Sequence, residues 1–119
     1  MSQGAYGKSI ITHKANFSPI EIYIAGDYGM ALEALRKWCS EDRDCWSVQR
    51  IDYVYTGGQE AGVKLTRIDY PRFPMVTGKE LHDRGMGMAH YMLQELHQSS
   101  CTLFGPMGSA YISRKKHRE

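Results

Sequence analysis

Apolar and polar residues alternate at Ile20, Ile22 and Ile24 against Glu21 and Tyr23, the two-residue period of a half-buried strand, here over 20–25. Gly26-Asp27 ends that run and supplies an N-cap, so a helix is expected from Tyr28 to about Ser40. At helical spacing Ala31, Leu32, Leu35, Trp38 and Cys39 fall on one side, opposite Glu33, Arg36 and Lys37. Polar residues 41–44 then lead to a long hairpin. Its first strand starts at Cys45 or Trp46 and ends at Tyr55, its turn segment holds Gly57, Gly58 and Gly62, and its return strand reaches Tyr70-Pro71-Arg72-Phe73-Pro74. The apolar phase shifts at Ile51, Tyr53 and Tyr55, and again between Val63 and Leu65 and Ile68 and Tyr70. The shift suggests a bulge or a strand covered on both faces, and its recurrence near the far end of both strands implies that the outer half of the hairpin extends past the core.

Thr77 with Glu80 forms a capping box for a second helix, whose apolar stripe runs through Leu81, Met88, Ala89, Met92, Leu93 and Leu96 by way of Gly85. Gly85 and Gly87 each weaken the helix by roughly 1 kcal/mol relative to Ala. Close approach of another backbone would explain them, and Met86, Gly87 and His90 then suit contact with a second subunit. Residues 101–104 and 109–113 read as two short strands around Gly105-Pro106-Met107-Gly108, and 8–13 as a short first strand. The expected fold is α+β, a mainly antiparallel sheet with two helices on one face, in the order ββαββαββ.

At 119 residues, 42% hydrophobic and 24% charged, the chain is one globular domain with loosely ordered ends at 1–7 and 115–119. A formal charge of +2 is too small to make nonspecific duplex binding the default. No run is apolar enough for a membrane span and no signal peptide is evident, which points to the cytoplasm. Cys39, Cys45 and Cys101 show no CxxC spacing and read as reduced, buried thiols.

Catalytic and metal signatures are missing. His90 and His97 share a helix face but stand about 10 Å apart along it, too far for one zinc with bonds of about 2 Å. His82 is turned away from both, and neither HExxH nor GxSxG occurs. Gly26-Asp27 lacks a phosphate-loop pattern and reads as an N-cap, and no cofactor is indicated.

What stands out is arginine beside aromatic rings: Arg50 near Tyr53, Arg67 near Tyr70, Arg72 beside Phe73, and Tyr111 before Arg114. Rings stack on bases and guanidinium groups pair with phosphates. Tyr53 and Tyr55 fit an ordinary sheet surface. Arg72, Phe73 and Arg114, on a proline-stiffened segment and at a strand end, fit a nucleotide as well as they fit a surface.

Five blocks, IYIAGD (22–27), YTGGQEAGV (55–63), IDYPRFP (68–74), LHQSSCTLF (96–104) and YISR (111–114), resemble in order those of the first Thoeris anti-defence family of bacteriophage proteins. The resemblance spans 20–114. It implies a non-enzymatic protein of the infected host's cytoplasm that binds a cyclic ADP-ribose isomer, or another cyclic nucleotide, and holds it intact. It also implies assembly as a dimer or hexamer with pockets between subunits. Carried to this chain, it marks Arg114 as a phosphate contact, followed by Arg72 with Phe73; Arg36, His97 and Ser99 join them by position. A single-stranded nucleic-acid module and a small nucleotide-processing enzyme are the alternatives.

Overall fold

The computed structural model describes residues 10, 12, 20–70, 76 and 78–114. Seven elements follow one another: β1 (Glu21–Ala25), α1 (Tyr28–Glu41), β2 (Trp46–Tyr55), β3 (Gly58–Arg67), α2 (Gly78–Glu95), β4 (Ser100–Gly105) and β5 (Gly108–Ser113). The strands form one antiparallel sheet in the order β2-β3-β1-β4-β5. The fold class is the expected one. Ile10 and Thr12 lie in no strand, and the rest of 8–13, where a first strand was expected, lies outside the described residues. So does Thr77 of the capping box.

Register explains which face is buried. Ile22 stands opposite both Leu65 and Leu103, and Ile24 opposite Val63. These side chains share one face and are fully buried. Ala31, Ala34 and Leu35 of α1 and Leu81, Met88, Ala89, Met92 and Leu93 of α2 complete the core against that face. Burying a Leu, Ile or Met side chain contributes about 1.5–3 kcal/mol, so this layer dominates stability. The Tyr91 hydroxyl donates to the Ala34 carbonyl at 2.7 Å and ties the two helices together.

Asp27 caps α1 as the sequence indicates, its carboxylate accepting from the Met30 N–H at 3.0 Å. Gly85 is buried, and a methyl there would stand 3.1 Å from Ile20 and Leu103, so glycine serves the close packing of α2 on the sheet within one chain. Gly87 is exposed, with room for a side chain 3.7 Å from Trp38.

The hairpin departs from expectation in two ways. Its register runs unbroken from Trp46–Arg67 to Tyr55–Gly58, with no bulge. The shift in apolar phase instead marks residues that face away from the helices: Ile51, Tyr53 and Tyr55 belong to the open face of the sheet. The turn itself is Thr56-Gly57, Gly57 at φ 93°, while Gly58 and Gly62 lie in β3. The extension past the core is real, because β1 pairs with residues 62–66 of β3 and leaves 58–61 exposed. Among the described residues, no helix is long and apolar enough to cross a membrane.

Candidate functional site

β1 stops at Ala25 while β2 and β3 run on beside it, leaving a gap at its carboxyl end between the hairpin and the turn from α2 into β4. Two hollows open there, one on each side of the sheet. On the helix side a cleft of about 430 Å³ is lined by Gly26–Gly29, Arg50–Asp52, Ala61 and Gly62. Here the Arg50 guanidinium lies 4.4 Å over the Tyr28 ring, not beside Tyr53. On the open face a cleft of about 320 Å³ is walled by Tyr23, Tyr53, Tyr55 and Tyr111, with Glu60, Gln98, Ser99, Ser100 and Thr102 between them.

Register places these rings. Tyr23 stands opposite Lys64 on one side and Thr102 on the other, and Thr102 stands opposite Tyr111. Tyr53 stands opposite Glu60. With strands about 4.8 Å apart, Tyr23 and Tyr111 are set roughly 10 Å apart across Thr102, wide enough for a flat ring of stacking thickness. Phe104 meets Tyr23 edge to face, centroids 5.5 Å apart. Desolvation pushes the Tyr53 hydroxyl up to about 12, with Cys101, Glu60 and Tyr23 adding to it, so its phenol is neutral at any physiological pH.

Gln98 and Ser99 also line a neighbouring hollow of about 350 Å³ with His97 and Arg114. His97 ends α2 at φ 54°. Arg114 Nη1 donates to the Leu93 carbonyl at 3.2 Å and to the Gln98 carbonyl at 3.4 Å, and its backbone N–H donates to Ser99 at 2.7 Å. A cation at the carboxyl end of α2 satisfies carbonyls that the helix leaves open.

Of the expected site residues, the fold thus gathers His97, Ser99 and Arg114 at one corner. Arg36 is not with them; it is exposed on α1 and pairs with Glu33 at 2.7 Å. Arg72 and Phe73 lie outside the described residues. Arg67, singled out in the sequence near Tyr70, is 2% exposed and bound through Nε to Asp44 at 2.9 Å. The Asp44 carboxylate also accepts from the Trp46 indole at 2.8 Å. Tyr53 and Tyr55, read as plain sheet surface, line the cleft. Their period-two spacing on an extended hairpin is the signal that finds them. Among the described residues no group of His, Cys, Asp or Glu is arranged to hold a metal, and all three cysteines are free.

No family model matches the chain, and no curated protein matches it. A solved structure does: a phage SAM lyase in complex with S-methyl-5′-thioadenosine, with a TM-score of 0.59 at 11% identity, covering 92% of this chain and 100% of that one. At that identity the likeness shows the fold. It corrects the expectation of a non-enzymatic protein, because the solved structure that shares this fold is that of a lyase, an enzyme.

Proposed function

We propose that this chain is a phage anti-defence protein that binds an adenosine-bearing ligand at the carboxyl end of β1. The base and ribose enter the tyrosine cleft, and the ligand's anionic end meets His97 and Arg114. The observation that carries this reading is the meeting of four tyrosines with the Ser99–Arg114 corner around one gap in the sheet. Each base stacked on an aromatic ring gains about 1–3 kcal/mol, and Arg114 adds a charge-assisted contact.

Two ligands share the required adenosine. A cyclic ADP-ribose isomer is favoured by the sequence blocks at 22–27, 55–63 and 111–114. S-adenosylmethionine is favoured by the likeness to a phage lyase that holds a thioadenosine. Either way the protein would strip the host of a small molecule that its defence needs. The homo-oligomer implied by the resemblance belongs to this proposal, with the exposed Gly87 surface of α2 as its contact.

The test is to incubate the protein with each compound, separate it from free ligand, denature it by heat and chromatograph what is released. Intact cyclic ADP-ribose isomer supports capture, and S-methyl-5′-thioadenosine appearing from S-adenosylmethionine supports cleavage. Uptake of neither, with no product formed, overturns the reading.

A further inference from the structure

We infer that the outer edge of β2 pairs with the same edge of a second copy, antiparallel about a two-fold axis at Ile51, and that this pairing completes the helix-side cleft. The contact is separate from the Gly87 surface of α2. It goes beyond the adenosine-binding reading, which stands or falls without it.

Among the described residues the sheet has two edges, β2 and β5. An edge strand carries a row of unpaired N–H and C=O groups, and proteins protect it by keeping it short, bulging it or placing proline or lysine on it. β2 has none of these devices: it runs for ten residues, WSVQRIDYVY, in unbroken register with β3. Its far end, with Val54 77% and Tyr55 54% exposed, belongs to the part of the hairpin that outruns β1. A lone two-stranded ribbon is marginally stable in water, and a further strand on the β2 side supports it.

The charges pick both the partner and the register. Arg50 and Asp52 lie on the helix side of β2, opposite Val63 and Ala61. Both are exposed, and among the described residues neither forms a salt bridge or a side-chain hydrogen bond within the chain. With Ile51 on the axis, Arg50 meets Asp52 of the partner subunit and Asp52 meets Arg50 of the partner subunit, two attractions from one symmetric contact. Moving the axis to residue 50 or 52 sets like charges against each other, which destabilises a cross-strand pair. In the favoured register Val54 meets Val48 of the partner subunit, which covers an exposed apolar side chain. The complement exists because plus-then-minus along a strand, read in reverse, is minus-then-plus. β5, the other edge, has six residues and no charged side chain to fix a register.

Arg50, Ile51 and Asp52 also line the cleft of about 430 Å³ beside Tyr28. In the pair, the second copy therefore brings a guanidinium and a carboxylate to the rim of each cleft.

The experiment is sedimentation velocity on the parent, Arg50→Asp, Asp52→Arg and the double variant. The parent is expected to have a mass that is a multiple of the single chain. Each single variant sets like charges opposite each other twice and should associate about tenfold more weakly; the double variant restores opposite charges and should come within about threefold of the parent. A parent of single-chain mass, single variants that associate as the parent does, or a double variant no better than the singles overturns the inference. Where a variant loses the circular dichroism of the parent, a cross-link decides: oxidised glutathione should join Ile51→Cys into a disulfide-linked dimer and leave Gln49→Cys, which keeps the same three native cysteines, unlinked. Equal linking of both, or of neither, overturns the inference.

Discussion

The Tyr53 ring lies against the bare Cα of Gly62: a methyl at Gly62 would stand 2.6 Å from Tyr53 Cε2 and 2.8 Å from the Ile24 carbonyl oxygen. Glycine is required here by contact, not by backbone dihedral. The ring can move, but the Ile24 carbonyl is part of the β1–β3 ladder and cannot. Gly62→Ala is therefore expected to destabilise the fold by about 1–3 kcal/mol, as overpacking does, and to lift Tyr53 out of the cleft wall. Urea denaturation reads the first effect and adenosine-ligand affinity the second.

The buried Asp44–Arg67 pair links the start of β2 to the end of β3, and both side chains are almost wholly enclosed. Removing one partner strands a charge, so Asp44→Leu is expected to cost about 3–5 kcal/mol, whereas replacing both by apolar residues of similar size costs far less. Denaturation midpoints of Asp44→Leu, Arg67→Met and the double variant check this. Additive losses would show that the two residues act independently.

Above pH 9 the fold should weaken. Desolvation raises the Cys101 thiol from 9.0 to about 11, and the Tyr53 phenol rises from 10.0 to about 12. Both groups are neutral when protonated and are held so by the fold. Their contribution is complete below the unfolded values and is lost as pH climbs through 9 to 12. Denaturation at pH 8, 10 and 11 should show falling midpoints. Cys101→Ala should flatten part of that fall.

Much of the architecture is legible in the sequence because burial on one face leaves a simple period. The alternation of Ile20, Ile22 and Ile24, the Asp27 cap and the stripe through Gly85 reappear in the structure almost residue for residue. The site is less legible. Tyr23, Tyr53 and Tyr111 come from strands far apart in the chain, and only the order β2-β3-β1-β4-β5 brings them round one gap. The Arg67 ion pair is hard to read from the sequence because its partner, Asp44, is 23 residues away. The His97, Ser99 and Arg114 cluster was within reach because chain ends of neighbouring elements meet there.

Arg114 serves two ends at once, the carbonyls that finish α2 and the hollow beside the cleft. Arg114→Ala is expected to lose about 1 kcal/mol of stability through those bonds and to weaken ligand binding about tenfold or more. Arg114→Lys should recover part of the binding but not the fork geometry. Titration calorimetry alongside thermal melts separates the two effects.

At Gly87 a larger side chain has room within one chain. Gly87→Leu should fold as the parent does, yet lower the mass in solution if a second copy sits on this surface. Light scattering distinguishes the two, and an unchanged mass would remove Gly87 from the contact.

The most direct measurement is the affinity of S-methyl-5′-thioadenosine for the parent protein, for Tyr55→Ala and Tyr111→Ala in the cleft, and for Arg36→Ala on the outer side of α1. The account predicts saturable binding by the parent and by Arg36→Ala, with losses of about tenfold in both tyrosine variants. Binding that is absent in the parent, or equal in all four proteins, would contradict it.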